Sequence, residues 1–294
     1  MSDLVYFIYP TCNGSCKHCW SAERLLGRIR PILWHEELIR NLSSAGFKFS
    51  EIKISGGEPF LHKEVGSLPA LIHRYFGQEI PVSIFTSGRP FVSWEKGDIG
   101  VERTFLTLKS TIANFDNCSI QLSADEYHID SLSKYFGWKA NDVWQNTRSY
   151  IGNFITACEQ IKKENPLFLG PKLKIHCNKG RQQFHEEQLF NWFPSEWWSK
   201  YAILTEGLVA AGRGKSLSGT EELSKDCHVS YFLLPGVNFY NQPQSKRSVE
   251  YSTLIDDSKL YLDDSKDSAV LIEGWWNLIN RKAKYKSILI NWKE

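Results

Sequence analysis

The sequence contains no long hydrophobic run. No segment of its 294 residues approaches the ~20 apolar residues that a membrane-spanning helix needs. The opening stretch MSDLVYFIYP has an acidic residue where a signal peptide has basic ones, and its apolar run is too short for a signal sequence. We therefore expect a cytoplasmic protein without membrane contact.

The sequence also lacks a basic stripe and a disulfide framework. The formal charge is +2 and the basic residues are scattered, apart from short clusters such as 282–286, so nucleic acid binding is not indicated. The seven cysteines are odd in number and irregularly spaced, which fits a set of disulfide pairs poorly. In a reducing cytosol, clustered thiols favour metal binding or catalysis.

Apolar runs of strand length alternate with segments of helical periodicity. The clearest helix is predicted at about 150–163, where five apolar residues share one face: Ile151, Phe154, Ile155, Cys158 and Ile161. A repeated strand, helix and parallel strand indicates a β/α barrel or a doubly wound sheet. The predicted strands are 4–9, 51–55, 82–87, 119–123, 173–177 and 202–209.

The pattern ends after about residue 213. We predict a partial-barrel domain over residues 1–213 and a loop-rich extension over 214–294. The extension would serve either as a substrate lid or as a small appendage.

Polar side chains occupy one face of several predicted strands. Along 119–125, for example, Gln121 and Ser123 alternate with apolar residues. A barrel lumen lined in this way indicates a hydrated polar ligand, although solvent-exposed sheet edges would give the same pattern. The candidate lumen residues are Lys53, Gln121, Lys174 and His176.

Three cysteines lie within eight positions in the stretch YPTCNGSCKHCW, residues 9–20. Cys12, Cys16 and Cys19 supply three soft ligands without an obvious fourth. A structural zinc site needs four ligands, and nearby only His18 is available, in an awkward position directly before Cys19. An iron-sulfur cubane held by three thiolates keeps one iron open for a substrate or cofactor. Structural cysteines that cluster by chance are a further interpretation.

A second motif, KISGGEPFLH, stands at the end of the second predicted strand. Its two glycines allow close approach of the backbone to a ligand, and Glu58 offers a carboxylate, so the turn suits an ammonium group. With the cysteine loop after strand one and this turn after strand two, the chain resembles the radical S-adenosylmethionine (SAM) enzyme superfamily. The resemblance covers roughly residues 4–213 and includes FTSG at 85–88, QLSADEYH at 121–128 and GLVAAGRGKS at 207–216.

The resemblance implies an α/β fold, a partial (β/α)6 barrel of parallel strands that holds one 4Fe-4S cluster through Cys12, Cys16 and Cys19. SAM would bind the open iron, and its reductive cleavage would give a 5'-deoxyadenosyl radical that removes hydrogen from a substrate. Relatives often place an arginine about a dozen residues after the fourth-strand serine; here Lys134 is the nearest cation, so the partner of the SAM carboxylate stays open. The implied cofactor-binding residues are His18, Ser55, Gly56, Gly57, Glu58, Ser123, Asp125 and Lys134.

The resemblance also implies partners. An external electron donor such as flavodoxin or ferredoxin would reduce the cluster. The Gly-Arg ending of strand six favours a ribosomally made peptide as substrate, and because the chain begins at strand one, leader-peptide recognition would need a separate protein. A small polar metabolite, such as a sugar, nucleoside or amino acid derivative, suits the polar strand faces at least as well. A non-catalytic iron-sulfur or zinc protein is the third alternative.

The remaining cysteines predict a single cluster. Of Cys118, Cys158, Cys177 and Cys227, only Cys227 lies beyond the sixth predicted strand, and one thiolate cannot hold a cubane. We therefore expect a single-cluster member of the superfamily without a complete C-terminal auxiliary-cluster domain. Cys227 is either a hydrogen donor to the substrate radical or a structural residue.

Overall fold

Strands and helices alternate along the chain, as the hydrophobic pattern predicts. The strands of the computed structural model are β1 (Ser2–Tyr9), β2 (Phe49–Gly56), β3 (Val82–Thr86), β4 (Cys118–Ser123), β5 (Gly170–Cys177), β6 (Ala202–Glu206), β7 (Leu208–Val209), β8 (Thr220–Glu221), β9 (Ser230–Leu234) and β10 (Ser287–Asn291). The helices are α1 (Ile32–Ser44), α2 (Leu68–Phe76), α3 (Val101–Thr111), α4 (Glu126–Phe136), α5 (Val143–Glu164) and α6 (Ser195–Tyr201).

The structure describes residues 2–9, 12, 14–17, 19, 29, 31–44, 47–91, 100–177, 195–206, 208–209, 220–221, 230–234 and 287–291. Among these residues, no helix combines the length and the apolar composition that crossing a membrane requires. The chain divides into two compact units. The first comprises Met1–Cys12, Glu23–Val82 and Glu222–Glu294, and the second comprises Asn13–Ala22 and Ser83–Glu221.

The first unit contains a run of parallel strands in the order β10, β9, β1, β2. Alternate residues of β1, namely Leu4, Tyr6 and Ile8, are buried, as expected for a strand that packs one face into a core. Helices α1 and α2 follow β1 and β2 and contact each other. Their buried apolar residues include Leu38, Ile39, Leu42, Leu71 and Ile72.

The second unit contains β3 beside β4, followed by β5 and β6, with β4, β5 and β6 paired in parallel. Helix α5 packs on α3 and buries the whole apolar face that the sequence predicts over 150–163. Burial of each of these large side chains is worth about 1.5–3 kcal/mol relative to exposure, so this face anchors the helix. The helix itself is longer than predicted and runs from Val143 to Glu164.

The predicted α/β fold of parallel strands is confirmed. A strand is present at each of the six predicted places, and a helix lies in every connection between them. The sixth is shorter than the predicted 202–209: β6 ends at Glu206, and Leu208–Val209 pairs with β8 in a separate sheet. The segment after residue 213 contributes β8, β9 and β10. In the first unit β9 pairs with β1, and β10 pairs with β9. The division at residue 213 into a barrel and a lid or appendage stays a prediction.

Candidate active site

The cysteine loop joins the two units of the chain. Cys12 ends the first segment of the first unit, and Cys16 and Cys19 belong to the second unit. Cys16 is buried, whereas Cys12 and Cys19 are partly exposed, and none of the three forms a disulfide. The Cys19 amide donates to the Cys16 carbonyl over 3.3 Å, so these two cysteines share one tight turn.

The start of helix α4 faces this turn. Asp125 lies two residues after the C-terminal end of β4 and caps α4, because its Oδ1 accepts from the amides of Tyr127 (3.1 Å) and His128 (3.0 Å). Both Asp125 carboxylate oxygens also lie 2.9 Å from His128 Nδ1. The Asp125 side chain is 1% exposed and that of His128 is 16% exposed. One carboxylate therefore fixes both the helix end and the orientation of the imidazole.

Ser131, one turn further along α4, connects three parts of the second unit. Its Oγ accepts from the Ser15 amide over 3.0 Å and from Arg89 Nη2 over 2.5 Å. Arg89 follows β3, is buried, also donates to the Ser131 carbonyl over 2.7 Å, and lies 4.5 Å from the ring centroid of Tyr135. These contacts hold the cysteine loop and the C-terminal ends of β3 and β4 against one helix face.

The Cys16 thiol is hydrogen-bonded to His128 and to Ser131. Burial alone would raise its pKa, but the charge of His128 and these two hydrogen bonds more than offset the burial and the repulsion from Asp125, so the pKa of Cys16 is lowered. Burial likewise disfavours protonation of His128, yet Asp125 and Cys16 hold the pKa of the imidazole well above its ordinary value. The arrangement favours a thiolate at Cys16.

The Gly-Gly-Glu-Pro turn lies at the C-terminal end of β2 in the first unit. Gly56 has φ 134°, a conformation that L side chains rarely adopt, which explains a glycine at this position. Glu58 is 1% exposed, and its Oε1 accepts from the Phe60 amide over 3.3 Å, capping the 3-10 turn Pro59–Leu61. A buried carboxylate at this turn is a suitable partner for a bound ammonium group.

A buried cluster of three polar rings accompanies this turn. His62 ends the 3-10 turn and its ring lies 5.4 Å from that of His35 in an edge-to-face arrangement. His35 Nδ1 is in turn hydrogen-bonded to the hydroxyl of Tyr6 in β1. Tyr6, His35 and His62 are each at most 3% exposed, so β1, α1 and the turn are linked through a polar core.

The other predicted cofactor contacts occupy varied positions. Ser55, Gly57 and Ser123 are partly exposed at the ends of β2 and β4. Lys134 lies on the outer part of α4, is 58% exposed, and pairs with Asp130 over 2.8 Å. These assignments stay predictions. The contact of Asp125 with SAM also stays a prediction, because in this structure the Asp125 carboxylate caps α4 and faces His128. His18 and Cys227 lie outside the described residues.

The predicted lumen residues have partners from the protein itself. Lys53 Nζ lies 3.3 Å from a Glu51 carboxylate oxygen, and Lys174 Nζ lies 4.5 Å from the centroid of the Phe85 ring. Gln121 is 6% exposed, and only the backbone of His176 is described. Their role toward a substrate stays a prediction.

Part of the polar strand surface has a structural explanation. Ser119 Oγ, at the start of β4, lies 2.8 Å from Ser83 Oγ of β3, and both side chains are buried. This pair satisfies its hydrogen bonds internally, so polarity at this end of the strands does not require a ligand.

The three motif cysteines are chemically suitable ligands for an iron-sulfur cluster. Three cysteines without disulfides, one of them with a lowered pKa, are the soft thiolate ligands that such clusters use. Within the described parts of the chain, no three Cys, His, Asp or Glu side chains stand close enough together to hold a metal ion. The three-cysteine ligand set therefore stays a prediction.

Sequence reasoning missed three residues of this site: Arg89, His128 and Ser131. Arg89 follows directly on the FTSG stretch, and His128 closes the quoted stretch QLSADEYH, so both lay beside recognised motifs. A helix that begins at Glu126 places residues 128 and 131 on one face, which is the signal that could have found them.

No family model matches the sequence, and no curated protein matches it. Similar solved structures include Streptococcus suis SuiB bound to the precursor peptide SuiA, with a TM-score of 0.42 and 14% identity over 98% of this chain and 48% of that one. They also include anSMEcpe with bound AdoMet (TM-score 0.41, 12% identity, 98% of this chain and 64% of that one). BtrN in complex with AdoMet and 2-DOIA has a TM-score of 0.31 and 20% identity over 50% of this chain and 55% of that one.

Two of these three matched structures contain bound AdoMet. This chain spans less than two thirds of the length of each. Because all three TM-scores lie below 0.5, the proposals that follow rest on the residues of this chain alone.

Proposed function

We propose that the chain is a radical SAM enzyme. The observation that carries the proposal is the position of Cys16: it is buried against the first turns of α4, immediately beyond the C-terminal end of β4, and its thiol pKa is lowered there. In folds of parallel strands and helices, ligands bind at the C-terminal ends of the strands. A reactive thiolate of the C-x3-C-x2-C motif at this edge fits a cofactor site.

The residues of the chain would divide the work of binding. Cys12, Cys16 and Cys19 would hold a 4Fe-4S cluster, and the turn from Ser55 to Glu58 would receive the ammonium group of SAM. Ser123, with Asp125, would contact its ribose or carboxylate. When bound, the cluster and SAM supply reductive cleavage of SAM and a 5'-deoxyadenosyl radical that abstracts hydrogen from a substrate. An external one-electron donor such as flavodoxin or ferredoxin would provide the electron.

Two cations are candidates for the SAM carboxylate. Lys134 is exposed and pairs with Asp130, whereas Arg89 is buried beside Ser131 at the C-terminal end of β3. The planar guanidinium suits bidentate binding of a carboxylate better than an ammonium does. We expect Arg89→Lys to weaken SAM binding and Lys134→Met to leave it unchanged; the reverse result would assign Lys134.

For the substrate, we propose a ribosomally made peptide, on the strength of the Gly-Arg sequence after strand six. The buried Gln121 and the partly buried Lys174 favour the alternative of a small polar metabolite. A separate leader-peptide-binding protein is part of the first proposal only. The mass change of each candidate on incubation with the reduced protein and SAM, together with the yield of 5'-deoxyadenosine, distinguishes the two.

Anaerobic incubation of the reconstituted protein with SAM and a strong reductant tests the enzyme class. We expect 5'-deoxyadenosine from the wild type and none from Cys16→Ala. Cys118→Ala is the matched control, because Cys118 is buried at the start of β4 and is not in the motif, and it should retain cleavage. A wild-type protein with a full cluster that forms no 5'-deoxyadenosine would support the non-catalytic iron-sulfur alternative, and purification with zinc alone would support the zinc alternative.

A further inference from the structure

One histidine side chain lies where three elements of the first unit meet. His62 follows the 3-10 turn Pro59–Leu61, which Glu58 caps, and it is 3% exposed. Its ring lies 5.4 Å from that of His35 in α1, and His35 is hydrogen-bonded to Tyr6 in β1. Although His62 is the last residue of the stretch KISGGEPFLH, the sequence pattern assigns it no role.

The backbone of His62 closes the turn that carries Glu58. The His62 amide donates to the Pro59 carbonyl over 2.9 Å, and the Leu61 amide donates to the Glu58 carbonyl over 3.0 Å. The Phe60 amide donates to Glu58 Oε1 over 3.3 Å. Residues 58–62 therefore form one compact turn, but these local bonds do not fix the turn against the rest of the first unit.

The ring of His62 connects this turn to the residues that follow it. His62 Nδ1 accepts from the Glu64 amide over 3.2 Å. Because the donor is a backbone N–H, Nδ1 carries no hydrogen, and the neutral ring has its hydrogen on Nε2. The His62 carbonyl accepts from the Val65 amide over 3.2 Å, at the start of the next 3-10 turn. A hydrocarbon side chain at position 62 would remove the acceptor that the Glu64 amide uses.

Glu64 carries the connection on to helix α1. Its Oε2 accepts from the amide of Ile32, the first residue of α1, over 3.0 Å. The first amides of a helix have no partner within the helix, and a carboxylate is favoured there by the helix dipole. The His62 ring also packs edge-to-face on His35, in the first turn of the same helix. His62 thus ties the Glu58 turn to α1 in two ways, through Glu64 and through its own ring.

We propose that His62 is a positioning residue that holds the Glu58 carboxylate where it receives the SAM ammonium group. This proposal rests on the proposed function, because it requires SAM to bind at Glu58. The strength of a charge-assisted hydrogen bond depends on its distance and direction. A carboxylate on a turn that can shift must be ordered when SAM binds, and this ordering costs affinity. In this role His62 acts through Glu58.

A positioning role has a specific consequence for paired substitutions. If His62 acts through the Glu58 carboxylate, a change of His62 costs SAM affinity only while that carboxylate is present. The costs of the two single changes should therefore not add in the double variant. An effect of His62 on SAM that is independent of Glu58 would give costs that add.

The test is a double-mutant cycle on SAM affinity, measured by calorimetric titration of the cluster-loaded protein. We expect His62→Leu to weaken SAM binding roughly fivefold, the factor that corresponds to loss of one typical hydrogen bond. In the Glu58→Gln background, His62→Leu should change SAM affinity by less than about twofold, which is the usual limit for additivity. This loss of the effect is the signature of a positioning residue.

Two polar variants separate the acceptor from the bulk of the ring. His62→Asn keeps an acceptor near the position of Nδ1, and an asparagine oxygen commonly accepts from the amide two residues on, so SAM affinity should stay within about twofold of the wild type. His62→Gln places its amide near the position of Nε2 and should weaken SAM binding as His62→Leu does. Should His62→Leu not take up a cluster, the comparison of His62→Gln with His62→Asn decides the question.

His73→Leu is the matched control. His73 is also 3% exposed in the first unit, but it lies in α2, and its Nε2 is 3.0 Å from the Ile80 carbonyl. The variant should bind SAM as the wild type does, even where its melting temperature falls. An equal loss of SAM affinity in His73→Leu would show a general effect of removing a buried histidine and would overturn the proposal.

Hydrogen exchange gives a readout that needs neither SAM nor a cluster. In His62→Leu the Phe60 amide, which donates to Glu58 Oε1, should exchange roughly fivefold faster than in the wild type. The Gly77 amide donates to the His73 carbonyl over 3.0 Å at the end of α2 and should keep its wild-type rate, which shows that the unit is intact. An unchanged Phe60 rate would contradict the positioning role.

The remaining outcomes separate this proposal from the proposed function. Wild-type SAM affinity in both His62→Leu and His62→Gln would overturn the proposal, and so would costs that add in the double variant. A wild type that holds a cluster but binds no SAM, or a Glu58→Gln variant that binds SAM as tightly as the wild type, would instead defeat the proposed site. The two failures are therefore distinguishable.

Discussion

At the scale of single residues, Glu58 has two roles that one substitution can separate. Its carboxylate caps the 3-10 turn and, in the proposed function, receives the SAM ammonium group. Glu58→Gln keeps an acceptor for the Phe60 amide but removes the charge. We expect SAM affinity to fall roughly ten- to a hundredfold, which corresponds to about 1.5–3 kcal/mol, with little change in thermal stability.

Calorimetric titration of the cluster-loaded protein with SAM measures this effect. Glu58→Ala should lower both the affinity and the melting temperature, because the cap is lost as well. Glu37→Gln, at an exposed position of α1, serves as the control. Unchanged SAM affinity in Glu58→Gln would rule out the assignment of the ammonium partner.

The cysteines differ in the environment of each thiol. Cys118 and Cys158 are fully buried, and burial raises the pKa of Cys118 to about 12 and that of Cys158 well above its ordinary value. In contrast, the pKa of Cys16 is lowered. Only thiolates react rapidly with alkylating reagents, so reactivity should follow this order.

We predict that iodoacetamide at pH 8 labels the motif cysteines of the metal-free native protein well before Cys118 and Cys158. With a pKa of about 12, only roughly one Cys118 thiol in ten thousand is ionised at pH 8, and this fraction rises tenfold with each unit of pH. Mass spectrometry of digested protein gives the order of labelling. Denatured protein, in which all sites should react, is the control, and native labelling of Cys118 as fast as the motif would contradict the prediction.

Residue-level prediction from the sequence succeeded where a motif is local. The cysteine loop and the Gly-Gly-Glu-Pro turn are contiguous, so their residues could be named directly. The contacts of Ser131 with Ser15 join residues 116 positions apart, and no local pattern encodes such a contact. Asp125 was recognised as a site residue, but its bond to His128 depends on the exact start of α4.

At the scale of elements, the end of β3 depends on Gly88. Gly88 has φ 77°, and a Cβ at this position would overlap the hydroxyl of Tyr150, which donates to the Ser87 carbonyl over 2.9 Å. The glycine thus lets α5 approach the turn that leads to Arg89. The FTSG stretch is explained by backbone conformation and close packing.

We predict that Gly88→Ala destabilises the protein by at least about 2 kcal/mol, through left-handed strain and steric overlap together. Gly137→Ala is a matched control, because Gly137 has φ 64° but a Cβ there would meet nothing within 4 Å. It should cost about 1 kcal/mol from strain alone. Urea unfolding followed by tryptophan fluorescence compares the two, and equal costs would show that contact with Tyr150 is unimportant.

The order of elements was predictable for β1 to β6 because each strand is a short apolar run followed by a helix of clear periodicity. Strands β9 and β10 were not predicted. Their sequences, SYFLL and SILIN, are largely apolar like those of the predicted strands. They lie, however, in a segment where no clear helical periodicity alternates with the apolar runs. Strand β9 pairs with β1 across more than 200 residues and β10 pairs with β9, and hydrophobic periodicity reveals neither pairing.

At the scale of the whole molecule, both motifs of the proposed site lie at C-terminal strand ends. The Gly-Gly-Glu-Pro turn ends β2 in the first unit, and Asp125 and helix α4 come shortly after β4 in the second. Within each unit, a position at a C-terminal strand end follows from the parallel direction of the strands, which the alternation of strands and helices already predicted. Along the chain, Cys12 belongs to the first unit and Cys16 to the second.

The number of clusters per chain is a property of the whole molecule. Outside the motif, the sequence has four cysteines, Cys118, Cys158, Cys177 and Cys227. Cys118 and Cys158 are fully buried in the core around β4 and α5, with raised thiol pKa values that disfavour metal binding. Two remaining thiols are too few for the usual ligand set of a second cubane.

We predict that anaerobic reconstitution gives about four irons per chain, the content of one cubane cluster. The variant in which Cys12, Cys16 and Cys19 are all changed to Ala should hold essentially none, because the only set of three clustered thiols in the sequence is then gone. Iron and sulfide analysis, with visible absorbance, measures both. The control with Cys118 and Cys158 changed to Ala should keep about four irons if it folds, as judged by circular dichroism. About eight irons in the wild type, or a cluster that survives in the triple variant, would mean that ligands outside the motif bind iron and that the single-cluster assignment is wrong.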